Sequence, residues 1–386
     1  TFILVFFLAN TFLSGCHIAN RNEKHILILA IDQFGFNKLN CNKDNQFKTK
    51  SGLNILCRDS IRFTHAYSTS QNTRPALASL LTAKYPYEIN VYDNDTTFLS
   101  TKEKTISEIA FQNGYETALF VGAPFVLRNS GLQKGFQFFD DQYLSDRNSL
   151  FRFFNDSQQA YINWRNKQYK PTFSVIHIPD LFFQKRPTAN ELGEQRNLSY
   201  ESQLEELDSL LFKFTQTLKK LNTYDNTMII LVGLNYPENE KNKSIDEDPV
   251  VRQDQIALLI KPAQKPRETG LEWTYDENVS LVDIGGTIFD FFKESPPATS
   301  ISLLTQIENR NIAKTNPRWI VSQTISSFED MSDTLSLRKQ QFHLILKNGQ
   351  IQIYNTLIDK QEISPLSSRD TLYKELSLES APLIQR

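Results

Sequence analysis

The chain has 386 residues, is 40% hydrophobic, and sets 42 Lys and Arg against 44 Asp and Glu, for a formal net charge of −2. That length buries a large core, enough for one sizeable α/β domain and a small second one. Charges of both signs alternate along the chain, so it has no basic footprint and nucleic acid is excluded as an expected partner.

The first sixteen residues, TFILVFFLANTFLSGC, form an apolar run too short to span a bilayer as a mature helix. The run closes on Leu13-Ser14-Gly15-Cys16, which resembles the lipobox of bacterial lipoprotein signal peptides. The resemblance implies that residues 1–15 are a signal peptide, that Cys16 carries the lipid, and that residues 16–24 are a polar tether. A lipid holds a protein to a membrane without spanning it. The usual Met and basic n-region are missing, so the numbering is expected to start inside the signal. His17 rather than Asp after the cysteine implies, by likeness to Gram-negative lipoproteins, the outer membrane, with the protein facing the periplasm or the cell surface.

Cys41 and Cys57 remain. An oxidising compartment favours a disulfide between them, and two buried, unpaired thiols are the alternative. Neither has the spacing of a metal site.

Beyond the tether, HILILAID (25–32), ETALFVG (116–122), TFSVIHI (172–178), TMIILVG (227–233) and QIALLIK (255–261) read as strands buried on both faces, as in a parallel sheet. Helices are expected over 74–83, 105–113, 147–166, 200–221 and 279–293. In the fourth, Leu204, Leu207, Leu211, Phe214 and Leu218 recur every three to four residues and mark a core-facing stripe. Strands alternating with helices predict a doubly wound, mostly parallel α/β sandwich over 25–296.

After about Pro296 the pattern shortens. WIVSQTISS, QQFHLILK and GQIQIYNTL read as strands, with Asn348-Gly349 as a hairpin turn between the last two. A small α+β subdomain with an antiparallel sheet is therefore expected over 297–386, with the polar stretch 322–335 as a loop.

Residues 61–91, IRFTHAYSTSQNTRPALASLLTAKYPYEINV, hold the most information. Thr73 before Arg74-Pro75 fits a helix N-cap, with proline near the first helical position. A hydroxyl there also sits in the positive field of the helix end, which favours an anion.

The same segment resembles the nucleophile motif of the sulfatases, roughly C-x-P-x-R-A-S-L-L-T-G-R-Y-P, whose first residue becomes formylglycine and attacks the ester. ALASLLTAKYP aligns without a gap, which puts Thr73 at the modified position, Pro75 at the proline and Leu77 at the arginine. A threonine cannot become formylglycine. HILILAIDQFG resembles the family's first strand. VSLVDIGGTIFDFF resembles its V-D-I-x-P-T helix, where Asp283 and Thr287 are structural, and IQIYNTLIDKQEISPL resembles its closing segment. The resemblance implies an alkaline-phosphatase/sulfatase-like fold.

It also implies a divalent cation, calcium in sulfatases and zinc or manganese in their phosphotransferase cousins, held by clustered carboxylates, amides or imidazoles. Asp32 matches the first of the paired acids after the first strand, and Gln33 replaces the second. The next pair falls on Leu234 and Asn235, where only Asn235 offers oxygen. The family's lysine and histidine are absent from Val121-Gly122-Ala123-Pro124, its mid-chain histidine is replaced around Asp180, and Gln255 takes a basic position. Of the five histidines, His65 and His177 are expected within the core, His177 as a satisfied core residue.

Candidate catalytic residues are thus Thr73, as nucleophile, and Arg74, with Asp32, Gln33 and Asn235 as a thinned metal site. Each changed ligand typically costs roughly 10- to 100-fold in metal affinity. The reading is a lipid-anchored sulfatase-like protein of the envelope acting as a pseudoenzyme or binding module. The alternative is a divergent hydrolase or transferase of sulfate or phosphate esters with Thr73 as nucleophile. An anionic glycan held in the old cleft is a third possibility.

Overall fold

The computed structural model describes residues 24–39, 41, 50–141, 151–182, 185–187, 195–197, 199–236, 254–264, 273–309, 316–324, 334–347 and 349–384. The signal peptide, Cys16 and the tether before residue 24 lie outside them, as does Asn348. Among the described residues no helix is long and apolar enough to cross a membrane.

The strands, in chain order, are β1 (His25–Ile31), β2 (Ile61–Phe63), β3 (Ala66–Tyr67), β4 (Glu116–Phe120), β5 (Phe138–Asp140), β6 (Thr172–Ile178), β7 (Lys185–Pro187) and β8 (Gln195–Asn197). They continue as β9 (Thr227–Gly233), β10 (Leu258–Lys261), β11 (Thr274–Tyr275), β12 (Val279–Ser280), β13 (Ile320–Thr324), β14 (Thr334–Lys339), β15 (Phe342–Lys347) and β16 (Gln350–Asn355). Eight of them form one sheet in the order β11-β2-β10-β9-β1-β6-β4-β5. The five from β9 to β5 run parallel.

Alternation along β1 builds the two cores. Ile26, Ile28 and Ala30 face one layer of helices, while Leu27, Leu29 and Ile31 face the other. The first layer holds the helices Thr73–Thr82, Ile106–Gln112 and Leu281–Phe291, and the second holds Gly52–Asp59, Phe154–Arg165 and Tyr200–Lys220. Strands buried on both faces lack an amphipathic pattern, which is why they read as continuous apolar runs.

Three expectations need correction. The QIALLIK strand begins only at Leu258 and pairs antiparallel with both β9 and β2, because a fully apolar run carries no signal of direction. Of the helix expected over 147–166, residues 147–150 lie outside the described residues, 151–153 are not helical, and the helix starts at Phe154, where the Asp180 carboxylate accepts the Phe154 backbone N–H (2.8 Å) and caps it. The C-terminal sheet, β13-β14-β15-β16, includes a strand at Thr334–Lys339, the end of the expected loop. Its alternate residues Ser336 and Arg338 are polar because they meet the buried Asp254 of the main domain, with Arg338 bonding it at 2.8 Å and Ser336 at 2.6 Å. A helix, Thr371–Ile384, follows. Leu337, Leu344, Ile353 and Leu376 pack with Tyr85 and Val282 and so fix this subdomain to the main one.

Cys41 and Cys57 form a disulfide with Cα atoms 5.7 Å apart, which ties Cys41 to the last turn of helix Gly52–Asp59. That helix can approach Tyr200–Lys220 because residue 52 is glycine: a Cβ there would stand 2.3 Å from the backbone nitrogen of Phe212.

The candidate active-site cleft

Parallel strands bring their carboxyl ends together, and three site residues arrive that way. Asp32 follows β1, His177 lies near the end of β6, and Asn235 follows β9. The register is tight: Asp32 N–H donates to the Ile178 carbonyl (2.9 Å) and Leu234 N–H to the Ile31 carbonyl (2.8 Å). Thr73 reaches the same point from the opposite side, on the first turn of helix Thr73–Thr82.

Thr73 is not the N-cap. Asn72 occupies that position with extended φ and ψ of −90° and 136°, and Thr73 is the first helical residue. Its hydroxyl donates to Asp32 Oδ1 at 2.8 Å, and His177 Nε2 donates to Asp32 Oδ2 at 2.9 Å. A bond to an ionised acceptor is roughly twice as strong as a neutral one, so the carboxylate, not a backbone N–H, claims the hydroxyl. Thr73, Asp32 and His177 are each 0% exposed. His177 is in the core as expected but only half satisfied, because its Nδ1 has no hydrogen-bond partner among the described residues.

The amide residues hold the backbone. Asn235 Oδ1 accepts the Gln33 backbone N–H, and Asn235 Nδ2 donates to the Gln71 carbonyl at 3.0 Å. Gln33 takes the left-handed region (φ 53°), with its carbonyl accepting the Tyr200 hydroxyl at 2.6 Å and its Oε1 buried without a partner among the described residues. Ser68 Oγ bonds the Leu234 carbonyl, and Gln323 N–H donates to the Thr69 carbonyl. The C-terminal sheet thereby closes against the loop that leads to Thr73.

Arg74 is equally occupied. Its Nε donates to the Phe125 carbonyl and its Nη1 to the Thr97 carbonyl, both at 2.9 Å, and the guanidinium lies 4.9 Å from the Phe98 ring centroid. Burial pulls its pKa below the usual arginine value, opposed by Asp93 and Asp95. Asp283 caps its helix and accepts from the Ile301 N–H and from Arg318, while Thr287 donates to the Asp283 carbonyl, so both are structural as expected.

The histidine expectation needs revision. His65 is exposed, bonded to Thr64, whereas His25 and His343 are buried. Burial lowers the His25 pKa to about 3, helped by Arg165. His343 is held well below its ordinary value by burial and by Arg338.

The sequence profile of the sulfatases matches residues 24–293. The chain belongs to the sulfatase family. Over 96 residues it is 34% identical to an ulvan-active sulfatase of Formosa agariphila, covering 25% of this chain and 18% of that one. Over 115 residues it is 26% identical to an N-acetylglucosamine-6-O-sulfatase of Bacteroides thetaiotaomicron, covering 29% and 20%. The matches span about a fifth of the length of these curated relatives. Among solved structures, a phosphonate monoester hydrolase of Agrobacterium radiobacter superposes with TM-score 0.71 at 16% identity, covering 94% of this chain and 95% of that one. A 2-O GAG sulfatase superposes with TM-score 0.68 at 15% identity, covering 94% and 91%. At such identities the likeness is one of fold.

A sulfatase cation is not fitted by the residues described. The donors at the strand ends are one carboxylate and two amides. Both Asp32 oxygens already accept hydrogen bonds, and the Asn235 oxygen holds the Gln33 backbone. Calcium takes six to eight oxygens, with several carboxylates among them as a rule. Among the described residues no group of three His, Cys, Asp or Glu side chains could hold a metal. Sequence reasoning brought Thr73, Asp32, Gln33 and Asn235 to one place but missed His177 as the partner of Asp32. The pairing of β1 with β6, Ala30 opposite His177, would have disclosed it.

Proposed function

We propose that this sulfatase-family chain is catalytically silent and serves as a lipid-anchored envelope module that binds an anionic glycan. One observation carries the loss of catalysis: the Thr73 hydroxyl, the only side chain at the nucleophile position, is spent on Asp32 inside a fully buried Thr73–Asp32–His177 chain. A working nucleophile needs access for the ester and a group to stabilise the charge that develops. Here Arg74 is committed to backbone carbonyls, and the family's lysine and histidine positions are apolar or small. Support for the ligand class comes from fold neighbours solved with D-glucosamine-2-N,6-O-disulfate and with a neocarrahexaose. Support for the anchor is the Leu13-Ser14-Gly15-Cys16 tetrapeptide.

A second reading, ester hydrolysis with Thr73 as nucleophile, draws on the 2.8 Å bond between Thr73 and a carboxylate able to act as base. One set of assays separates the two. The full chain is expected to turn over no aryl sulfate, phosphodiester or phosphonate ester, and EDTA or added calcium is expected to leave its melting temperature unchanged. Turnover that disappears in Thr73→Ala, or a metal-dependent melting temperature, would overturn the catalytically silent reading.

A further inference from the structure

We infer that a basic groove between the helices Gly52–Asp59 and Tyr200–Lys220 is a binding site for a sulfated polysaccharide. It lies in the helix layer on the opposite face of the sheet from Thr73. The inference rests on the anionic-glycan part of the proposed function, not on the loss of catalysis, and it moves the ligand away from a cleft that is closed.

The groove encloses about 660 Å³ and is lined by Arg58, Lys213, Lys219 and Lys220, with Gln216 and Thr217 between the lysines. Lys213 and Lys220 are exposed and make no ion pair among the described residues. They stand seven residues apart, about 10 Å along the helix axis. Arg58 faces them from the other helix with a side chain 66% exposed.

A buried carboxylate behind the lining holds two of the cations in place. Asp59, its side chain 1% exposed, accepts Arg58 Nε at 2.9 Å and the Tyr224 hydroxyl at 2.8 Å, and lies 4.0 Å from Lys219. Lys219 also sits 4.6 Å from the Tyr224 ring centroid. Asp59 thus pairs with two of the four cations, Arg58 and Lys219, and one carboxylate against four cations leaves the groove positive.

Complementing the helix dipole accounts for Lys219 and Lys220 in the last turn. It does not account for Lys213, nearly two turns earlier, or for Arg58 on a separate helix. Three lysines spread about 10 Å along one helix, with Arg58 facing them from the other, match anionic groups repeated along a polymer. A single small anion would instead call for donors converging on one point. A membrane surface would call for an apolar projection, and here Ile55 and Phe212 line the groove only partly exposed.

The test uses the full chain with dextran sulfate, unsulfated dextran and phosphatidylglycerol vesicles, and compares the wild type with Lys213→Gln/Lys220→Gln. Dextran sulfate should bind and unsulfated dextran should not. The double variant, which touches only exposed side chains with no ion pair among the described residues, should lose affinity roughly tenfold, and raised salt should weaken the wild type. Binding unchanged in the double variant would overturn the groove and leave the glycan reading standing. No binding to dextran sulfate would overturn both, and binding to vesicles alone would replace the polysaccharide with a membrane.

Discussion

Replacing Thr73 by valine removes one hydroxyl at nearly constant shape and tests whether the Thr73–Asp32–His177 chain is structural. In the wild type, Asp32 Oδ1 takes the Thr73 hydroxyl at 2.8 Å and Oδ2 takes His177 Nε2 at 2.9 Å, with all three residues 0% exposed. Valine leaves Oδ1 buried and without that donor. Hydrogen bonds to charged groups contribute about 1.5–3 kcal/mol net, so Thr73→Val should lower the unfolding free energy by that amount. Asp32→Ala should cost more, about 3–5 kcal/mol, because a buried pair loses one member and the His177 and Thr73 donors are both stranded. Urea unfolding by linear extrapolation measures both, and an unchanged m-value marks a stability effect alone. In the double variant the two losses should fail to add by about 1.5–3 kcal/mol, the coupling between the pair. A Thr73→Val variant within about 0.5 kcal/mol of wild type, or more stable than it, would refute the reasoning. Such a result is the mark of an active-site residue held at a cost to stability.

Two further outcomes follow from the rest of the molecule. The Cys41–Cys57 disulfide bridges a sequence separation of 16, so Cys41→Ser/Cys57→Ser should lose about 3 kcal/mol in urea unfolding under non-reducing conditions. Equal stability of the variant and the oxidised wild type would count against a stabilising bridge. Glu362 is a buried carboxyl facing His343 Nδ1 at 2.6 Å and Arg338 Nη1 at 3.7 Å, with Asp254 and Asp359 nearby, and burial raises its pKa to about 8 against the pull of Arg338. A raised carboxyl pKa stabilises the fold below the ordinary value and loses that contribution as pH rises through the folded one. Between pH 7 and 9, where His343 is neutral folded or unfolded, this loss comes to about 1.4 kcal/mol. Glu362→Gln should flatten that slope in urea unfolding at each pH, and an unaltered slope would show that Glu362 titrates normally.

The large sheet was legible because its strands are buried on both faces and so unbroken in apolarity. β6 runs Thr172–Ile178 as the residues predict, and β1 runs His25–Ile31, one residue short of the expected 25–32. β14 was not legible. Its Thr-Leu-Ser-Leu-Arg-Lys alternation looks solvent-facing, yet Ser336 and Arg338 point at Asp254 in a buried polar seam. A polar residue inside a fold depends on a partner distant in sequence, and local pattern cannot reveal such a partner. Thr73 misled for a related reason: a hydroxyl before Arg-Pro has the local signature of a cap, but a carboxylate 41 residues away outcompetes the helix backbone.

By itself, the sequence determined the layered fold, the sulfatase likeness and the set Asp32, Thr73 and Asn235, because apolar periodicity and contiguous motifs are local properties of the chain. Tertiary structure decided what those residues do. It turned Thr73 inward onto Asp32, supplied His177 from a neighbouring strand, committed Arg74 to carbonyl groups and set Arg58 across from Lys213 and Lys220. Each of these depends on distances between segments remote in the chain, and only packing sets those distances.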